Sequence, residues 1–139
     1  EAKVTVSGDK IGQIKHGLLL LIGYEEADDF EDVKWMVKKI LNMRIFDDQD
    51  GKMNLSIQDI GGAIMVISQF TLCGDIKKGR RPSFINAETP ERGLELYQYM
   101  VNRFRENGIN TVTGEFGAMM DVSLVNEGPS TFVINSKEL

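Results

Sequence analysis

Ala63-Ile64-Met65-Val66-Ile67, running into Ser68-Gln69-Phe70-Thr71, is the stretch on which the fold turns. A short, unbroken apolar run closed by polar residues reads as a buried strand. Upstream, Leu18-Leu19-Leu20-Leu21-Ile22 reads as a second strand, apolar on both faces. Before it, Ala2-Lys3-Val4-Thr5-Val6 alternates with period two, Ser7-Gly8-Asp9 supplies a turn, and Ile11 to Ile14 returns as the other arm of a hairpin. Between the two apolar strands, Phe30, Val33, Val37, Ile40 and Leu41 recur at helical spacing. Asp29 is placed to cap a helix from about Phe30 to Met43.

Downstream, Thr89 and Pro90 open a second helix. Leu94, Tyr97, Val101 and Phe104 form its buried stripe, and Asn107-Gly108 closes it. Three further strands are expected near Thr111 to Thr113, Asp121 to Val125 and Phe132 to Ile134. The order of strands, helix, strands, helix, strands predicts a mixed α/β fold with both helices on one face of the sheet system.

Composition bounds the chemistry. The chain has 139 residues, 42% of them hydrophobic and 27% charged, which suits one globular domain spanning the whole chain. No apolar run reaches the length of a membrane span. One cysteine, Cys73, and one histidine, His16, exclude an intrachain disulfide and a zinc site of several Cys or His ligands, and a reducing, cytoplasmic setting follows. His16 reads as a turn residue and Cys73 as a small packing residue. The acidic loop Asp47-Asp48-Gln49-Asp50-Gly51 fails the calcium-loop template, since Phe46 and Ile57 fall where carboxylates are needed. Asp50-Gly51 reads instead as a hairpin turn. No metal and no cofactor are expected.

A net charge of −5 argues against a protein that coats nucleic acid generally. Lys77, Lys78, Arg80 and Arg81 nevertheless concentrate positive charge just after Ser68-Gln69-Phe70-Thr71. By themselves they fit a solvated loop and a phosphate-binding loop equally well. A second polar segment, Asn126-Glu127-Gly128-Pro129-Ser130-Thr131, contains a Gly-Pro step. Proline cannot donate to a sheet ladder, and an X-Pro bond is where a cis peptide is accessible. Two polar segments at strand ends suggest a pocket built largely from backbone.

These segments resemble the signatures of the D-aminoacyl-tRNA deacylase (D-tyrosyl-tRNA deacylase) family, which edits tRNA carrying D-amino acids. Ser68 to Thr71 is similar to its first motif and Asn126 to Thr131 to its Gly-Pro motif. Gly79-Arg80-Arg81-Pro82-Ser83-Phe84 and Gly114-Glu115-Phe116-Gly117-Ala118-Met119-Met120 also fit, in the right order. The resemblance implies a three-layer β/β/α fold with barrel-like sheets, a homodimer, and hydrolysis of the ester of D-aminoacyl-tRNA. It implies a cis Gly128-Pro129 peptide entering the partner's pocket, where backbone carbonyls hold the substrate's α-amino group and exclude an L side chain. Glycyl-tRNA would not be rejected by that device.

By the same resemblance, Ser68, Gln69, Phe70 and Thr71 form the catalytic segment, with the Phe70 and Thr71 amides as oxyanion donors. Gly128, Pro129, Asn126, Phe116, Ala118 and Met120 would contact substrate, and Lys77, Lys78, Arg80 and Arg81 the tRNA phosphates. Phe116 fits a core position and a pocket wall equally. Thr71 would be either a nucleophile or a bystander to a water helped by the tRNA 2′-hydroxyl; the scarcity of titratable residues favours the second. The alternatives are a non-catalytic module binding RNA or an amine, and a trans-proline relative with looser chiral preference. The chain departs from the family in two places. The family carries a further strand, with a basic residue that steadies the Gly-Pro motif, before the position of Glu1. Ser130 stands where valine is usual.

Overall fold

A computed structural model describes residues 1–138. The chain begins with an antiparallel hairpin, β1 (Ala2–Val6) and β2 (Asp9–Ile14), then β3 (Gly17–Ile22) and helix α1 (Phe30–Asn42). A short ribbon, β4 (Phe46–Asp47) and β5 (Met53–Leu55), precedes β6 (Ala63–Ser68) and a 3₁₀ turn at Phe70–Cys73. Helix α2 (Pro90–Glu106), β7 (Thr111–Thr113) and β8 (Asp121–Leu124) follow. The expected strand at Phe132 to Ile134 is not formed. This segment finds no neighbouring strand among the described residues, and Val133 is 97% exposed.

Two three-stranded sheets make the frame, ordered β2-β1-β8 and β3-β6-β7. The second is parallel throughout, with Leu20 opposite Val66 and Val66 opposite Thr113. Its strands run in the order β3, β6, β7, so both crossovers step the same way. Right-handed connections then place α1 and α2 on the same face. The opposite face is left for the β2-β1-β8 sheet, and the layers become β/β/α.

The residues of β6 show why this order is stable. Ile64 and Val66 join a core built with Val37, Leu41, Leu96, Met100 and Phe104 of the helices. Met65 and Ile67 point the other way, into a second core with Ala2, Val4 and Ile14. Both faces of the strand are therefore covered, as an unbroken apolar run requires. Gly17 allows the tight pairing of β3 with β6, because a Cβ there would sit 1.8 Å from the Ala63 carbonyl oxygen.

The helices begin where their caps dictate. Asp29 accepts from the Asp32 N–H at 3.1 Å, and Asp32 reciprocates at the Asp29 N–H at 2.9 Å. Such a cap contributes on the order of 1 kcal/mol. Thr89 and Pro90 open α2, with Thr89 accepting from the Arg92 N–H.

Candidate functional site

β6 carries Ser68, its last residue, to the edge of the core, and the chain then tightens into the turn at Phe70–Cys73. The Gln69 N–H donates to Ile22 O at 2.7 Å, continuing the pairing with β3 for one more residue. Gly23 lets the two strand ends approach, since a Cβ there would meet Cys73 Sγ at 3.0 Å and Gln69 O at 3.2 Å. Inside the turn, the Leu72 N–H donates to Gln69 O and the Gly74 N–H to Thr71 O. The Phe70 and Thr71 amides, first in the turn, meet no backbone acceptor among the described residues. They are the donors that the start of any helical turn leaves unused.

Among the described residues Thr71 has one side-chain partner: Gln69 Nε2 donates to its Oγ1. A carboxamide is far too weak a base to take the hydroxyl proton, whichever way it is turned. His16 cannot serve either. Its carbonyl accepts from the Ala63 N–H at the opening end of β6, and its ring meets the edge of Phe46. Five strand steps separate it from Ser68, roughly 16 Å at the rise of an extended chain. Cys73 is buried, and burial, followed by the charges of Glu25 and Asp28, pushes its thiol pKa up, which makes it a poor nucleophile.

Phe70 is 58% exposed and packs edge-on against Phe84, 5.2 Å between ring centres. Phe84 follows the basic loop, whose base is closed by reciprocal hydrogen bonds between Asp75 and Ser83 at 2.8 and 2.9 Å. Lys77, Lys78, Arg80 and Arg81 are all exposed, and none makes an ion pair among the described residues. The aromatic pair thus ties a free cationic hairpin to the Ser68–Thr71 turn.

Beyond β7, the loop at 114–120 splits between the two cores. Phe116 lies on the helix side against Tyr97, and Met120 packs between the sheets. Gly114 permits this, as a Cβ there would lie 2.6 Å from Met120 Sδ. Ala118 is half-buried between them.

The Gly-Pro segment is organised by Asn126. Its Oδ1 accepts from the Ser130 N–H at 2.9 Å and its Nδ2 donates to Thr131 Oγ1 at 2.8 Å. The Gly128–Pro129 peptide is cis, and Gly128 has φ +126°. Both residues are exposed. Among the described residues no hydrogen bond of the segment reaches Ser68–Thr71; just before it, the Val125 N–H donates to Glu1 O at 2.9 Å. Within one chain the two polar segments therefore remain unconnected.

The sequence did not mark Tyr97 as a neighbour of this region, and it marked Phe84 only as the end of the family-like segment 79–84. An aromatic on the buried stripe of a helix looks the same whether it packs anonymously or underpins a site. A cavity of about 400 Å³ lies elsewhere, between α1 and α2, lined by Trp35, Lys38 and Arg103 among others. No group of three or more His, Cys, Asp or Glu side chains among the described residues is placed to hold a metal. No helix is long and apolar enough to cross a membrane.

The family model described as D-Tyr-tRNA(Tyr) deacylase matches residues 1–135. A D-aminoacyl-tRNA deacylase of Geobacillus sp. (strain WCH70) is 52% identical over 137 residues, covering 99% of this chain and 90% of the relative. One of Halalkalibacterium halodurans is 50% identical over 137 residues, covering 99% and 94%. Among solved structures, a c-Myc DNA Unwinding Element Binding Protein superposes with a TM-score of 0.87 at 35% identity, covering 93% of this chain and 88% of that one.

Proposed function

Since the chain belongs to the D-Tyr-tRNA(Tyr) deacylase family, we propose that it hydrolyses the ester of D-aminoacyl-tRNA by placing a water rather than by a side-chain nucleophile. The products are free D-amino acid and tRNA. The observation that carries this mechanism is the environment of Thr71, whose hydroxyl meets, among the described residues, only the Gln69 amide. A nucleophilic threonine needs a base, and among the described residues none bonds this hydroxyl. The unused amides of Phe70 and Thr71 suit the developing oxyanion. The tRNA 2′-hydroxyl, next to the scissile ester, is the nearest group able to orient the attacking water, and proximity of that kind supplies a large share of a rate.

Ser68 and Gln69 hydrogen-bond the terminal adenosine or its ribose in this reading, while Phe116 and Ala118 wall the site and Met120 backs it. Lys77, Lys78, Arg80 and Arg81 meet the acceptor-stem phosphates. Chiral selection falls to Gly128 and Pro129, whose carbonyls hold the α-amino group, with Asn126 keeping that loop in shape. Because the loop makes no hydrogen bond to Ser68–Thr71 of its own chain among the described residues, it acts in this reading on the site of a second copy. Association is supported by exposed apolar residues at Phe70, Leu72, Ile76 and Ile85, and again at Phe132 and Val133. Glycyl-tRNA, lacking a side chain to exclude, is also a substrate. Editing of tRNA fits a cytoplasmic location.

Deacylation of matched D- and L-aminoacyl-tRNA by Thr71→Ala tests this reading. Substantial D-specific activity is expected. Near-total loss with unchanged tRNA binding would establish Thr71 as the nucleophile. Failure of the wild-type chain to turn over the D substrate, with binding intact, would leave only a binding module.

A further inference from the structure

Val66 and Thr113 are the last paired residues of β6 and β7. Beyond them the strands part, β6 toward Ser68 and β7 through Gly114 toward Phe116. Tyr97 of α2 occupies the point of divergence. Its hydroxyl donates to Val66 O at 2.6 Å, the same oxygen that accepts from the Gly114 N–H at a long 3.4 Å. Its ring lies 5.6 Å from that of Phe116, tilted by 46°. A carbonyl oxygen has two lone pairs, so the phenol adds a second, shorter bond to Val66 O where the last rung between the parting strands is stretched. Burial pushes the Tyr97 pKa up to about 12, with the Gly114 amide and the Arg105 charge drawing it back, so the hydroxyl keeps its proton at working pH.

We propose that Tyr97 is a positioning residue for deacylation, fixing the spacing between the Ser68–Thr71 turn through Val66 and the Phe116 wall through its ring. The inference rests on the reading that those two segments belong to one site. The Tyr97 side chain is 5% exposed and touches no substrate; it acts through the two segments it joins. Small errors in such spacing are costly, because oxyanion donors and reacting carbonyl must be held to within about 0.5 Å.

The test is Tyr97→Phe in the full chain, which keeps the ring and deletes the hydroxyl. Single-turnover deacylation of D-aminoacyl-tRNA should slow by about ten- to a hundredfold, with half-saturation changing by less than about twofold. Tyr24→Phe is the control, since it deletes another buried hydroxyl, bonded to Met100 Sδ at 3.5 Å, and should keep the wild-type rate. A wild-type rate in Tyr97→Phe, or equal slowing in both variants, overturns the proposal. Phe116→Ala measured alongside separates the two layers of argument. If it slows while Tyr97→Phe does not, only the role of Tyr97 falls; if it keeps full rate, the shared-site reading falls with it. Amide exchange at Gly114 in the wild-type chain needs no variant: protection is expected, and exchange at the rate of a free loop overturns the proposal.

Discussion

Asn126 and Thr131 clasp the two ends of the Gly-Pro loop, with Nδ2 donating to Oγ1 at 2.8 Å. The same side chain accepts from the Ser130 N–H, so a single amide spans the loop from both of its polar atoms. The loop is exposed at every residue except the half-buried Ser130.

Asn126→Ala should therefore slow deacylation about tenfold, the loss of roughly one net hydrogen bond's worth of positioning. Its melting temperature should hardly move, because the groups released are all open to water. A single-turnover assay beside a thermal melt reads both. A rate equal to wild type would show that the loop keeps its shape without the clasp.

Gly17→Ala should be the opposite kind of change, large in stability. Its Cβ would meet the Ala63 oxygen at 1.8 Å and the Ala63 nitrogen at 2.9 Å, all backbone that cannot swing aside. Separating β3 from β6 disturbs a strand buried on both faces. Destabilisation of about 3 kcal/mol or more is expected from overpacking of this severity. The midpoint of urea unfolding measures it, and an unchanged midpoint would count against the tight pairing.

Acid stability should depend on Asp32. Partial burial pushes its carboxyl pKa up, but the Asp29 N–H and Lys137, at 3.0 Å, outweigh this and hold it below the usual 3.8. A carboxyl lowered by folding stabilises the native state above its unfolded pKa, and the contribution is lost as pH falls through the folded value. Asp32→Asn should flatten the fall in melting temperature below about pH 4, and Lys137→Met should flatten it in part. Superimposable acid limbs in all three proteins would remove Asp32 from the account.

Neutralising Lys77, Lys78, Arg80 and Arg81 together should weaken tRNA binding and reduce its salt dependence. The slope of log affinity against log salt should fall by about 3 if all four meet phosphates. Filter binding across a salt series gives the slope. Unchanged affinity would return the hairpin to a solvated loop.

Much of this architecture was readable along the chain. Asp29, Thr89 and Pro90 announced the helices because caps act within one turn, and Asn107-Gly108 ended α2 for the same reason. The apolar run at Ala63 to Ile67 announced a strand covered on both faces. Phe132 to Ile134 misled, because three apolar residues say that a segment favours burial and not what will bury it. Among the described residues no strand pairs with them; Phe132 and Val133 stay exposed, and Ile134 alone reaches the core.

The sequence by itself determined both helices, most of the strands and the polar segments Ser68–Thr71 and Asn126–Thr131, since propensity, capping and periodicity are local. Only the tertiary structure decided that β6 lies between β3 and β7, that His16 is stranded at the far end of it, and that Tyr97 stands where β6 and β7 part. Those facts depend on contacts between residues distant in the chain, and no local pattern encodes which distant strand becomes a neighbour.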